Sequence, residues 1–372
     1  MKNKENIYQD IRNRAESIYE RYQSTIEQNR KEGCDYSRTK LHFSIFESMK
    51  LGGQSSFQNN IDNIRISSGT IDNFYDYFYE FAKYNTKNLL RIMGLQSDDD
   101  EISFEGIGYN EKGEIRSVDS VLFEEKLTVI LDIFVSRFIL THEFGHLFNG
   151  HCSYLNSIGN GKVQFMPIFN YSSAEQLEYI SALDYRTLEY DADAFATTEN
   201  LKYLIILYTQ FEEKVDNSFR HIKAIDLFYW WGFAIRSMFL LMQQLLQDEK
   251  SLSERRYFPS IMRWGSVIFI VDILINPQSL KIKFRGGDTA DKILKKIVDG
   301  SIYAEKYFNE KNNDTKNWYV EIQENSDYLK LINEANENWR ENMVKKLMPF
   351  SRLSLYKAES DIFVTDNHCD KC

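Results

Sequence analysis

The chain is poor in the residues that break helices and in those that staple small domains. It has four prolines and 17 glycines in 372 residues, so long uninterrupted helices are expected. Its four cysteines, Cys34, Cys152, Cys369 and Cys372, cannot form a disulfide framework on a chain this long. No apolar signal segment follows the Met1-Lys2-Asn3-Lys4 start, and with the sparse cysteine this predicts a reducing, cytoplasmic setting. Basic residues are outnumbered, 45 against 55 acidic, for a net charge of −10. That balance gives no reason to expect a nucleic-acid partner. Convincing membrane spans are missing too. Leu127 to Leu140 carries Asp132 and Arg137, Leu227 to Leu246 carries Arg236, Gln243 and Gln244, and Val267 to Ile275 is too short and contains Asp272. Aromatics are abundant, with 26 Phe and 23 Tyr, enough for a packed core.

Only six histidines occur, and two of them lie in His142-Glu143-Phe144-Gly145-His146. In a helix, residues four apart share a face one turn up. Both imidazoles can then reach one metal ion, and Glu143 sits where it can act on a water beside that ion. HExxH on a helix is the layout of a zinc metallopeptidase. A catalytic site of this kind needs a third protein ligand. Leu188 to Ala196 supplies candidates. Glu189 and Asp193 are four apart, so Glu189 is assigned as the third ligand. Asp193 becomes an acceptor for a ring N–H of His142 or His146. Asp191 is the rival to Glu189, but two residues on it points to another face. Small Ala192, Ala194 and Ala196 would let this helix approach the motif helix. A capping box at Ser172 and Ser173, with Glu175 and Gln176, predicts a helix start near Ser173. His151 is five residues past His146. The metzincin spacing places Asn149 and Cys152 at its glycine and histidine positions, so that pattern fails. His151 is read as a cation near the helix C-terminus.

HExxH followed by a glutamate on a later helix resembles the gluzincin metallopeptidases. The run E-x-D-A-D-x-F-A, Glu189 to Ala196, is similar to the E-x-E-A-N-x-F-A signature of ImmA/IrrE-type peptidases and to the E-x-x-A-D pattern of membrane-bound gluzincins. HEFGH on a large helix-rich chain also resembles the Lit-type phage-exclusion peptidases. The likeness covers about residues 102 to 200. Asp193 stands where ImmA/IrrE proteins usually carry Asn, so their repressor-cleaving role is not carried over. The resemblance implies one Zn2+ per chain, held by His142, His146 and Glu189, with Glu143 as general base. It also implies a protein or peptide substrate, a possible protein trigger, and a bacterial regulatory or phage-defence role. Such peptidases often use a downstream His, Tyr or Arg to steady the tetrahedral oxygen. His221, Arg220 and Tyr190 are the candidates, with His221 first.

The expected fold class is α+β, mostly α. A zincin-like core at residues 101–215 combines a small sheet, the motif helix and the ligand helix. Helical regions flank it at 1–100 and 216–372. Ile102 to Phe123 reads as a hairpin turning at Asn110–Gly113. The motif helix is expected from about Glu124 to Asn149. Val163 to Phe169 reads as a strand that Pro167 confines to an edge. A sheet edge exposed beside the motif helix could hold an extended peptide as an added strand. The Phe74 to Tyr84 aromatic run reads as helix packing, and His42 as a core or surface histidine. His368, Cys369 and Cys372 lack the second ligand pair that another zinc site needs. The alternative to an enzyme is a zinc-binding interaction or sensor module on a peptidase-like core.

Overall fold

The computed structural model describes residues 4–28, 38–92, 108–109, 115–117, 120–159, 166–167, 179–210, 224–244, 255–275, 284, 287–313, 326–353 and 355. Long helices dominate, as the scarcity of proline and glycine dictates. They are α1 (Lys4–Gln28), α2 (Ser68–Ile92), α3 (Ser120–Phe148), α4 (His151–Ile158) and α5 (Ala182–Thr209), then α6 (Asp226–Gln244), α7 (Ser260–Ile275), α8 (Ala290–Asn312) and α9 (Ser326–Asn338). A π-helical turn, Trp339–Met343, leads from α9 into α10 (Val344–Leu347).

The first hundred residues are not all helical, which corrects the sequence reading. They contain β1 (Lys40–Phe46), β2 (Gly53–Gln58) and β3 (Ile61–Ser67). β2 and β3 form a hairpin closed by Asn59 and Asn60, at φ 51° and 62°. A two-residue turn with both central residues left-handed is the mirror-image type that matches strand twist, and asparagine tolerates it best after glycine. β1 lies parallel to β3. A two-residue strand, β6 (Met166–Pro167), pairs antiparallel with β2, giving the order β1-β3-β2-β6. β6 falls within the expected strand and, with its proline, at an edge. β4 (Gly108–Tyr109) and β5 (Ile115–Ser117) form the expected hairpin, but as a separate two-stranded sheet. Three of the four strands in the sheet beside the motif helix therefore come from residues 40–67.

One hydrophobic core runs from Ile7 to Leu347 and draws on all three sequence regions. α3 lies deep within it. Leu127, Leu131, Phe138 and Leu140 are completely buried. Phe74, Phe78 and Phe81 of α2 pack inward, with Phe81 4.1 Å from Phe233 of α6. α6 and α8 cross at two glycines. A Cβ on Gly232 would stand 2.2 Å from the Ile297 carbonyl oxygen, and one on Gly300 2.0 Å from that of Tyr229. Among the described residues no helix is long and apolar enough to cross a membrane.

Candidate metal centre

α3 and α5 bring the candidate residues together because their backbones touch where the side chains are smallest. A Cβ on Gly145 would lie 3.2 Å from Ala192 Cα. The HExxH motif and the Glu189 helix thus share a close crossing, at Ala192 of the three expected alanines. α5 opens at Ala182, not near Ser173. Ser181 is its N-cap and accepts a hydrogen bond from the Asp184 N–H. Ser172, Ser173, Glu175 and Gln176 lie outside the described residues.

His142, His146 and Glu189 turn toward one point and are buried. The two Nε2 atoms stand 3.0 Å apart. His142 Nε2 is 3.5 Å from Glu189 Oε2, and His146 Nε2 is 3.5 Å from Oε1. A tetrahedral zinc with bonds of about 2.0–2.1 Å spaces neighbouring ligand atoms by roughly 3.3 Å. The ligand set fits that ion. Both Glu189 oxygens and both Glu143 oxygens are buried without a hydrogen-bond partner. Unpartnered buried carboxylates are costly, and four such oxygens beside two imidazoles fit a cation site.

The outer nitrogens are held as well. His142 Nδ1 is 2.9 Å from Asp193 Oδ1. The sequence reading left two histidines open for this bond, and it goes to His142. Asp193 also accepts two bonds from Arg263 of α7, both 2.7 Å, at Nε and Nη2. Burial would raise the Asp193 carboxyl, but Arg263 and His142 outweigh it and hold it below the usual range. For His142, burial pulls downward, yet the bonds and charges of Asp193 and Glu189 carry it up to about 9. His146 goes the other way, lowered by burial and then by the neighbouring His142 and Arg263 charges. Arg263 has no signal in the sequence beyond the need of a buried carboxylate for a cation.

His151 does not cap α3. The motif helix ends at Phe148, and its last carbonyl accepts from Arg352 N–H at 2.8 Å. Gly150, at φ 84°, then turns the chain so that His151 starts α4. His151 Nδ1 comes within 2.9 Å of His146 Nδ1, and its Nε2 within 3.0 Å of Asp191 Oδ2. Asp191 is therefore not among the grouped ligand atoms.

Glu143 faces Ser55 of β2 and Cys152 of α4, whose Oγ and Sγ atoms are 3.7 Å apart. Burial pushes Glu143 up to about 8, against the nearby His142 and Ser55. Burial also pushes the Cys152 thiol up to about 12. The expected open edge is absent at this point. Ser55 pairs with Ile64 of β3 on one side and Met166 of β6 on the other. Tyr185, one turn before Glu189, is fully buried and shares a 3.0 Å hydroxyl contact with Tyr257. Burial first, and then the Glu189 and Glu143 charges, oppose its ionisation. Its i−4 spacing from Glu189 was the available signal. Tyr190 is only half-buried, edge-on to Phe258 with ring centroids 6.2 Å apart. His221, Arg220, His368, Cys369 and Cys372 lie outside the described residues. His42 is an exposed strand residue 3.1 Å from Asn63 Oδ1.

Comparison of the chain with protein-family models, with curated protein sequences and with solved structures returned no match.

Proposed function

We propose that this chain is a zinc-dependent endopeptidase of gluzincin type, acting on a specific protein rather than digesting many. The observation that carries this reading is a buried His142, His146 and Glu189 set with an intact Glu143 buried on the same helix turn as the two histidines. Zinc held by the three ligands would supply Lewis-acid activation of a scissile carbonyl and of the attacking water. Glu143 accepts the proton of that water and returns it to the leaving amine. Arg263 and Asp193 keep His142 oriented with its Nε2 inward. Tyr185, one turn before Glu189, is a candidate to donate to a developing oxyanion, with Tyr257 as its hydroxyl partner and His221 as the candidate from the sequence reading. The resemblance to Lit-type and ImmA/IrrE-type peptidases supports a cytoplasmic regulatory or phage-defence setting, by analogy alone.

Burial favours a second reading. His142, Glu143 and His146 are 0% exposed and Glu189 1%, and β6 covers β2 at Ser55. A peptide reaches Glu143 only after an opening, so zinc in a closed site would also serve a structural or sensing role. Glu143→Gln separates the two. Mapping new protein N-termini in cells expressing wild type or Glu143→Gln should find a cleavage made by wild type alone, with zinc retained in both. Identical N-terminal maps, with the trigger supplied, would favour the sensor.

A further inference from the structure

We infer that His151 and Asp191 form a buried relay that fixes His146 with its Nε2 lone pair turned inward. The inference rests on the zinc reading above and deepens it.

The argument begins with Asp191. Its Oδ2 receives Asn149 Nδ2 at 2.6 Å and His151 Nε2 at 3.0 Å. An ionised carboxylate only accepts, so His151 Nε2 carries a hydrogen. In the relay His151 carries that one ring hydrogen, and its Nδ1 is the acceptor. It faces His146 Nδ1 at 2.9 Å, so the hydrogen of that contact belongs to His146. His146 Nε2 is left bare, 3.5 Å from Glu189 Oε1. The line is shut off from bulk solvent, since His146 and His151 are 0% exposed and Asn149 and Asp191 5%.

Helix geometry explains why a second histidine intervenes. Glu189 and Asp193 are one turn apart on α5, so Asp193 reaches His142 directly. Asp191 lies about 200° round the helix from Glu189, too far round to meet His146 itself. His151, swung back by the left-handed Gly150, spans the gap. Replacing Gly150 is blocked twice, because an added Cβ would also stand 2.6 Å from the Phe350 carbonyl carbon. One helix thus provides a ligand and both carboxylate anchors, one acting at first hand and one through a ring. His151 is a positioning residue in this scheme.

The test uses the full chain, stripped with chelator and reloaded with zinc alone. Zinc affinity is measured by competition with a chromophoric chelator for wild type, His151→Phe and His151→Gln. Phenylalanine keeps the volume but neither accepts nor donates. Glutamine can do both, through its carbonyl and its amide. Loss of such an outer partner weakens metal binding about 10–100-fold, so that loss is expected for His151→Phe, with glutamine restoring affinity to within a few-fold. Imidazole 15N spectra of zinc-loaded wild type, with six histidines to resolve, should show His146 protonated at Nδ1 and His151 at Nε2. These spectra decide the question even if His151→Phe fails to fold. Equal zinc affinity in wild type and His151→Phe, or a hydrogen on His151 Nδ1, overturns the relay and leaves the zinc reading intact. Wild type that takes up no zinc overturns both.

Discussion

Arg263 offers the sharpest test of how the centre is built. It is 4% exposed and makes two 2.7 Å bonds to Asp193, itself 2% exposed. Arg263→Met keeps much of the apolar stem and removes the guanidinium. Asp193 is then a buried carboxylate held only by the His142 N–H. Breaking a buried pair from one side costs about 3–5 kcal/mol. The shared core from Ile7 to Leu347 implies that most of the chain unfolds together. At about 2.1 cal/mol/K per residue, the 372 residues give roughly 0.8 kcal/mol/K. The midpoint should fall by roughly 4–6 °C, read by calorimetry in chelator. Arg263→Lys, with one point charge in place of a planar fork, should land between. The double variant Asp193→Leu with Arg263→Met should be more stable than the single ones predict by addition, because no lone charge remains buried. A midpoint for Arg263→Met within about 1 °C of wild type, or strict additivity in the cycle, would refute this account.

Two further outcomes are expected. Gly300→Ala forces α6 and α8 apart against the Tyr229 carbonyl and should cost about 1–3 kcal/mol. Gly265→Ala on α7, where an added Cβ meets nothing within 4 Å, should be neutral or stabilising by up to about 1 kcal/mol, and denaturant midpoints that put the two variants level would show the crossing to be slack. Glu199 bonds Lys202 at 2.8 Å and Arg21 at 3.2 Å. Burial pushes its carboxyl up, but these partners hold it below its usual 4.5. A depressed carboxylate stabilises the fold above that pH and loses its contribution as pH falls through the lower folded value. Glu199→Gln should flatten that part of the acid limb in thermal midpoints taken from pH 7 to 3, and superimposable wild-type and variant curves would remove Glu199 from the account.

Periodicity made the motif helix legible. The i, i+4 spacing of His142 and His146, and of Glu189 and Asp193, reports directly which atoms share a face. The observed α3, Ser120–Phe148, differs from the expected bounds by a few residues. The strands β1 to β3 were missed for a physical reason. Gly52-Gly53-Gln54-Ser55-Ser56 is polar, and polar residues with glycine signal a break. Ser55 and Ser56 are nonetheless buried, because β2 packs against the site and not against solvent. In β1 the alternation of Leu41, Phe43 and Ile45 with His42 and Ser44 carried the strand period over only a few residues. His151 misled because its role depends on the left-handed turn at Gly150, which spacing does not encode. Arg263 lies 70 residues from Asp193, and no local pattern links them.

The bond from Arg352 N–H to the Phe148 carbonyl has a consequence in time. Arg352 also makes a bidentate pair with Asp62 of β3, at 2.6 and 2.7 Å. The end of the motif helix and the sheet beside it are thus tied by a residue synthesised about 200 positions later. During translation the HExxH helix emerges long before its clamp. A nascent chain carries all its candidate ligands by residue 189, yet lacks Arg263 and then Arg352 until much later. The centre with Arg263 on Asp193 and Arg352 on Phe148 is complete only once synthesis has passed residue 352.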